Sequence, residues 1–141
     1  MKRFLNNVLM FFAVFMLAAC ATPPKPEEVK SANYGEKPST SDMISAAKNH
    51  MSKSLYDPYS AVYSCSKPVK SWVIAGSGRE GNVESGRTYF GYTSVCTINA
   101  KNRLGGYVGD QEYLFMIYGK ENGRYYFAYF DGYRQLAQVP E

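Results

Sequence analysis

The sequence predicts an α+β domain in which one N-terminal helix packs on an antiparallel sheet of four or five strands, with one disulfide bond. Three features of the 141-residue chain predict this fold. Residues 41–57 carry apolar side chains at helical spacing. The chain after Pro58 is rich in β-branched and aromatic residues that alternate with polar ones. The pair Asn122-Gly123, typical of a two-residue hairpin turn, separates the last two predicted strands.

The first nineteen residues have the layout of a secretory signal peptide. Two basic residues precede an apolar run, residues 8–17, that is shorter than the about 20 residues needed to cross a bilayer. The run ends in Leu17-Ala18-Ala19-Cys20, which resembles a bacterial lipobox. In such sequences the cysteine thiol is acylated, and cleavage makes this cysteine the new N-terminus. We therefore expect residues 1–19 to be removed and Cys20 to carry a lipid anchor.

The residue after Cys20 bears on which membrane holds this anchor. Ala21 stands where an aspartate tends to retain lipoproteins of this kind at the inner membrane. Because alanine rather than aspartate stands at position 21, we expect the periplasmic face of the outer membrane, with the inner membrane as the less favoured alternative. Each buried methylene of an acyl chain contributes about 0.8 kcal/mol, so two or three chains form a firm anchor.

Residues 20–40 are predicted to be the lipidated N-terminus and a proline-rich tether. Four prolines, several charges and almost no large apolar residue leave little surface that folding could bury. At about 3 Å per residue, an extended tether would hold a single domain, residues 41–141, up to 60 Å from the membrane. Docking of this segment through Tyr34 on a partner or on peptidoglycan is the alternative.

Length and charge exclude several classes of protein. A chain of 141 residues has room for one domain beside its leader and tether. The formal net charge of +4 falls to +2 without Lys2 and Arg3. So balanced a chain lacks the basic face that binding to nucleic acid requires, and we expect no nucleic-acid partner.

The only helix predicted in the domain begins near Ser39. This serine and the two hydroxyl residues after it can cap the first turn, and Asp42 lies favourably near the positive end of the helix dipole. The pair Asp57-Pro58 ends the helix, since the residue before a proline is pushed out of the helical region. One apolar stripe is formed by Ile44, Ala47, Met51 and Leu55.

Five stretches are predicted as strands: residues 61–65, 69–75, 89–100, 113–118 and 124–133. In the third stretch Cys96 and Ile98 fall on the apolar face, whereas Tyr89 and Thr93 fall on the opposite one. This alternation predicts a sheet with one face covered by the helix.

Cys65 and Cys96 are the two cysteines that remain beside Cys20. Both lie on predicted strands, and an oxidising periplasm favours a disulfide between them. The alternative is a redox or metal-binding pair. Neither a C-x-x-C spacing nor a nearby histidine supports that alternative, and we expect no metal site.

The chain offers little catalytic equipment, and we expect neither an enzyme nor a cofactor. His50 is the only histidine and lies off the apolar stripe, so it is expected at the surface rather than as a general base. The carboxylate pairs Glu80 with Glu84 and Asp110 with Glu112 lack an apolar setting that would raise a pKa. The loop sequence GSGREG lacks the ending and the following helix of a phosphate-binding loop.

Two short motifs are the most distinctive parts of the domain. Asp57-Pro58-Tyr59-Ser60-Ala61-Val62-Tyr63 follows the helix, and residues 99–109 read NAKNRLGGYVG. Together they resemble a group of small uncharacterised proteobacterial envelope proteins with the patterns Asp-Pro-x-Ser-Ala-x-Tyr and Asn-Ala-Lys-Asn-x-x-Gly-Gly-Tyr-x-Gly. The resemblance implies a small sheet domain without an established activity, and therefore no catalytic residue. The second motif also suits a plain turn, because asparagine and glycine adopt left-handed conformations.

Tyrosine is unusually common, with 13 in the chain. Two interpretations remain open: a core that uses tyrosines in place of aliphatic residues, or an aromatic face that docks a partner. Neighbouring residues on a strand point to opposite faces, so aromatic side chains decorate both sides of the last predicted strand. The residues assigned to partner binding are Tyr125, Phe127, Tyr129, Arg103 and Tyr107.

These features predict a periplasmic lipoprotein, anchored in the outer membrane, that acts as a non-enzymatic accessory or scaffolding subunit. Its lipid contacts the membrane, and its domain binds a protein partner, such as part of a secretion or outer-membrane assembly. The alternative is an inhibitor that protects the envelope from lysozyme-like enzymes. The stretch Ser85-Gly86-Arg87-Thr88-Tyr89 resembles the Ser-Gly loop that such inhibitors present to an enzyme cleft.

Overall fold

The computed structural model describes residues 22–77 and 82–141. Two helices precede six strands that form one curled antiparallel sheet, in the order β5-β4-β3-β2-β6 with β1 paired to β3. The predicted α+β class is therefore confirmed, with one strand more than expected and with a second, short helix in the segment predicted as a tether. The elements are α1 (Pro26–Ser31), α2 (Thr40–Met51), β1 (Asp57–Cys65), β2 (Val69–Ala75), β3 (Thr88–Lys101), β4 (Gln111–Glu121), β5 (Arg124–Phe130) and β6 (Tyr133–Gln138).

The predicted leader and its lipidation site, Cys20, lie outside the described residues. Over the two described ranges, the helices are too short or too polar for any of them to span a membrane.

The long strand β3 organises the sheet. One of its edges pairs with β4, and the other edge is shared by two strands. β2 pairs with residues 88–93 of β3, and β1 pairs with residues 96–101. β1 and β2 therefore follow one another along a single edge of β3.

The predicted disulfide is confirmed at this shared edge. Cys65 at the end of β1 lies directly opposite Cys96, with the two Cα atoms 4.0 Å apart and the sulfurs bonded. The Asn122-Gly123 turn also has its expected form. Both residues have positive φ angles, 50° and 76°, and they join β4 to β5 as a two-residue hairpin.

Helix α2 covers one face of the sheet. Ser39 caps it: the Ser39 hydroxyl accepts from the Asp42 amide at 3.1 Å, and the Asp42 carboxylate accepts from the Ser39 amide at 2.8 Å. The helix ends at Met51, before the predicted end at Asp57-Pro58. Its buried stripe is Met43, Ala47 and Met51, and these side chains pack on Cys96, Ile98, Phe115, Ile117 and Tyr129.

The opposite face of the sheet holds a second cluster, which the alternation in β3 did not predict. Tyr89 and Thr93, expected on a polar face, are buried, because the sheet curls over itself at this end of β3. The buried members of the cluster are Val73, Ala75, Tyr89, Met116, Ala128 and Phe130. The predicted strand 124–133 is divided by the turn at Asp131 and Gly132, after which β6 pairs with β2.

Residues 22–38 lie on the sheet, which differs from the extended tether expected from their composition. Tyr34 is only 6% exposed, and its ring stands nearly perpendicular to that of Phe90, with centroids 5.7 Å apart. The Lys70 ammonium lies 4.4 Å from the centroid of the Tyr34 ring. The Tyr34 hydroxyl donates to the carbonyl oxygen of Val29 at 2.8 Å. Tyr34 thus supplies the aromatic contact through which this otherwise mostly exposed segment packs on the sheet.

Candidate functional site

The two motifs, 42 residues apart at their first residues, meet at one end of the sheet. Asp57 lies opposite Lys101, and Val62 lies opposite Asn99, so β1 advances by five residues while β3 advances by two. The surplus residues of β1 form a bulge between these two pairs. Tyr59 lies in this bulge and is 99% exposed.

Ser60 joins the motifs through hydrogen bonds. Its amide donates to the Asp57 carboxylate at 3.2 Å, and its hydroxyl donates to the Asp57 carbonyl oxygen at 2.9 Å. The same hydroxyl accepts from the Lys101 amide at 2.9 Å. The Tyr107 hydroxyl donates to the Ser60 carbonyl oxygen at 3.3 Å. The bulge of the first motif is therefore fixed to both limbs of the second.

The asparagines of the second motif build its turn. The Asn102 side-chain oxygen accepts from the amides of Leu104 at 2.9 Å and Gly106 at 3.2 Å. The Asn99 side-chain oxygen accepts from the Gly109 amide at 3.2 Å. The turn is therefore present, with left-handed conformations at Gly105 and Gly109, whereas Asn102 stabilises it through its side chain and has no positive φ angle.

Exposed large apolar side chains cluster in the two motifs and at Tyr56, just before the first motif; we name this set the motif surface. The described residues have nine exposed large apolar side chains, and six of them lie here. Leu104 is 94% exposed, although it is the only aliphatic side chain at the tip of a polar turn. The motif surface consists of Tyr56, Tyr59, Val62, Leu104, Tyr107 and Val108.

Two cations lie at the motif surface. The Arg103 guanidinium is 5.8 Å from the ring centroid of Tyr56, and the Lys101 ammonium is 5.5 Å from that of Tyr107. Beside Tyr107 an open concavity of about 310 Å³ extends over Val62 toward Asp110. The surface therefore combines aromatic rings, aliphatic side chains and positive charge around a shallow depression.

Of the five residues assigned to partner binding, Arg103 and Tyr107 lie at the motif surface, whereas Tyr125, Phe127 and Tyr129 do not. These three line the face of β5 that packs toward α2. Tyr129 is 5% exposed, the Phe127 ring lies 5.0 Å from that of Phe115, and the Tyr125 hydroxyl donates to Asp42 at 3.4 Å. Tyr129 is thus a core residue, whereas Tyr125 and Phe127 are half-buried between β5 and α2.

Tyr59 and Leu104 were missed as candidate residues. The available signal was a large apolar side chain in a segment that is otherwise polar or rich in glycine and proline. A single such residue is ordinary, but a group of exposed apolar side chains marks an interaction site.

His50 was expected at the surface but is half-buried among aromatic rings. Its ring centroid lies 5.2 Å from that of Tyr129, 5.6 Å from Phe127 and 6.5 Å from Phe115. Burial, with a smaller effect of the nearby Lys53 charge, holds the pKa of His50 below its ordinary value. Within residues 22–77 and 82–141, no group of three histidine, cysteine or carboxylate side chains is placed to hold a metal ion.

The Ser85-Gly86-Arg87 stretch forms an exposed turn just before β3. Gly86 has a φ of 80°, and the Arg87 amide donates to the Glu84 carbonyl oxygen at 3.1 Å. The Arg87 side chain is engaged by the Glu84 carboxylate at 3.3 Å and lies 5.3 Å from the Tyr89 ring centroid. Glu80, the partner of Glu84 in one of the carboxylate pairs, lies outside the described residues.

No family model, curated protein or solved structure matches the chain.

Proposed function

We propose that this chain is a lipid-anchored accessory protein of the bacterial envelope that binds a protein partner through the motif surface. The observation that carries the proposal is the concentration of exposed apolar side chains at one place, built by two segments distant in sequence. A soluble domain rarely leaves such a patch bare, and tyrosine and arginine are enriched where proteins bind one another. The bulge and the turn hold these side chains in place before a partner arrives.

The chemistry of the motif surface describes the partner. Tyr59 and Leu104 protrude, so the partner offers apolar depressions for them. The Arg103 and Lys101 cations beside the aromatic rings favour a partner with carboxylates at the rim of those depressions. A protein surface meets both conditions.

The lipid anchor rests on the sequence ending in Cys20. The disulfide between Cys65 and Cys96 supports export, because disulfides persist in oxidising compartments such as the periplasm. Metabolic labelling with palmitate should label the full chain, and Cys20→Ser should abolish the label and release the protein from the membrane fraction. Label retained by Cys20→Ser would contradict the anchor.

Partner binding is tested by placing a photo-crosslinking amino acid in the full chain in cells. With the probe at Tyr59 or Leu104, we expect an adduct of one discrete mass with an envelope protein. With the probe at Tyr133, which is 51% exposed but lies on β6 away from the motifs, we expect none. Equal adducts at all three positions would contradict a specific surface.

A matched pair of variants separates binding from folding. Tyr59→Ala with Leu104→Ala should weaken binding to the crosslinked partner at least tenfold, because two protruding apolar anchors are lost. Both side chains are exposed, so the melting temperature should stay within a degree or two. Tyr133→Ala is the control and should change neither property.

A second candidate function, inhibition of lysozyme-like enzymes, is favoured by the exposed turn at Ser85, Gly86 and Arg87. The purified full chain would then slow lysozyme, and Arg87→Ala would relieve the inhibition. Lysozyme that remains fully active at a molar excess of the chain would end this candidate.

A further inference from the structure

We infer that the folded domain itself, rather than a free tether, sets the distance between the membrane and the motif surface. The Thr88 end of β3 faces the lipid surface, and the Lys101 end, with the motif surface, faces away from it. This inference rests on the proposed lipid anchor at Cys20.

The chain enters the described structure beside the Thr88 end of β3. Thr22 and Pro23 line a concavity of about 620 Å³ together with Thr88 and Phe90. Cys20 precedes Thr22 by two residues, and two residues span at most about 7 Å. Acyl chains on Cys20 would therefore enter the bilayer next to this end of the sheet.

The segment after Thr22 is fastened to the sheet at several points, so it does not serve as a spacer. Tyr34 and Pro38 are buried. A Cβ atom on Gly35 would lie 3.2 Å from the Gly119 Cα atom, which shows how closely the segment approaches β4. The Glu36 carboxylate pairs with Lys120 at 3.4 Å, and Lys37 pairs with Glu141.

The difference in reach is large. Freed and extended, residues 22–38 would reach about 50 Å at 3 Å per residue. In the folded domain these residues instead hold Thr22 in the same concavity as Thr88, the first residue of β3.

The motif surface lies at the other end of the same strand. β3 has 14 residues, and at a rise of about 3.3 Å per residue they span up to 43 Å. Helix α2 runs in the same direction: its first turn contacts the start of β5 through Asp42 and Tyr125, and the chain after it reaches Asp57, opposite Lys101. The length of the domain, rather than that of a tether, therefore separates the motif surface from the membrane.

The orientation is tested on the full, acylated chain in vesicles of phosphatidylethanolamine and phosphatidylglycerol that carry a nitroxide on the headgroup. A fluorophore is attached to Ser85→Cys, beside the start of β3, or to Leu104→Cys, at the motif surface. Quenching by nitroxides acts only over short distances. We expect the probe at residue 85 to be quenched at least fivefold more than the probe at residue 104. Equal quenching, or stronger quenching at residue 104, would overturn the inference.

Variants at Tyr34 test whether the fastened segment sets the orientation. Tyr34→Ala removes the ring that packs on Phe90, and quenching of the residue-85 probe should fall to the residue-104 level. Tyr34→Phe keeps the ring and should keep the quenching, as should Tyr59→Ala, which removes a tyrosine at the motif surface. Full quenching in Tyr34→Ala would overturn the inference.

The two levels of proposal fail in different ways. A chain without acyl mass on Cys20 that does not bind vesicles would overturn the anchor and this inference together. A chain that is acylated and vesicle-bound, but equally quenched at both positions, would overturn only the orientation. Partner binding at Tyr59 is measured independently of both.

Discussion

At the scale of single residues, His50 shows how a local reading of the sequence misses an environment made by distant strands. Its ring packs on Phe115, Phe127 and Tyr129, all from β4 and β5. The helical pattern placed His50 off the apolar stripe of α2. It could not show that aromatic side chains of β4 and β5 also pack beside that stripe. The capping of α2 by Ser39 was readable because it involves residues only three positions apart.

This environment makes stability depend on pH. Burial lowers the pKa of His50 in the folded state, with Lys53 adding to the effect, whereas the unfolded chain takes up the proton near the ordinary value of about 6.5. The stabilising contribution of neutral His50 is therefore complete above that value and is lost as the pH falls below it. His50→Gln cannot bind the proton, so its free energy of unfolding should fall less between pH 7 and pH 5 than that of the unchanged chain.

Urea unfolding of both proteins at the two pH values measures the difference. The control is the change in free energy of unfolding between pH 7 and pH 8, which should be the same for His50→Gln and the unchanged chain because His50 is neutral there in both the folded and the unfolded state. Identical losses of stability between pH 7 and pH 5 would contradict the role of His50.

Asn102 supports the motif surface from within its turn. Asn102→Ala removes the acceptor of two backbone amides, and we expect a loss of about 1 kcal/mol in the free energy of unfolding. Because the turn also positions Leu104, crosslinking from residue 104 should fall more than this modest loss of stability explains. Chemical unfolding and crosslinking of the same preparation check the two effects, and unchanged crosslinking would contradict the role of Asn102.

At the scale of elements, β3 carries the main difference between prediction and structure. The alternation of its residues correctly predicted a strand, but it also predicted that only the face with Cys96 and Ile98 would be buried. In the structure the buried face changes along the strand. Tyr89 and Thr93 are buried in the first half, where the sheet curls, whereas Cys96 and Ile98 on the other face are buried in the second half. A pattern with period two records side-chain direction, not the curvature that decides which directions are covered. The break between β5 and β6 escaped prediction for the same reason.

Gly91 marks the tightest approach within this curl. A Cβ atom there would lie 2.4 Å from the Ile117 carbonyl oxygen and 2.8 Å from the Tyr118 Cα atom. Gly91→Ala should therefore push β3 away from β4 and cost more than about 3 kcal/mol, or prevent folding. Gly132→Ala is the matched control, because a Cβ atom at Gly132 meets nothing within 4 Å. Thermal unfolding compares the two, and similar melting temperatures would contradict the close approach.

At the scale of the whole molecule, the disulfide joins the two strands that carry the motifs. Cys65 and Cys96 are separated by 31 residues, and closing a loop of this length contributes about 3–4 kcal/mol in the chain-entropy model. Replacing both by serine should lower the free energy of unfolding by that amount in urea titrations. The unchanged chain treated with a reductant should lose a similar amount, and a loss below about 1 kcal/mol in both would contradict the expectation.

The sequence located the domain and both motifs, but not their arrangement. The disulfide was predictable because only two cysteines remained for pairing in the domain. The docking of residues 22–38 was not, since it depends on contacts with residues far along the chain, such as those of Tyr34 with Phe90 and Lys70. The same holds for the motif surface: each motif was visible alone, and only the bulge opposite Lys101 shows that they meet.

The position of the chain entry at one end of β3 and the motif surface at the other has a mechanical consequence. A partner held at Tyr59 and a bilayer held near Thr22 would pull on the domain along the length of β3. That load falls on the strand pairings of β3 in shear, so many hydrogen bonds must yield together instead of peeling open one by one. The covalent link between Cys65 and Cys96 crosses the ladder between the two points of attachment. With the proposed anchor and partner both engaged, the domain would carry tension along β3 across a covalently reinforced ladder.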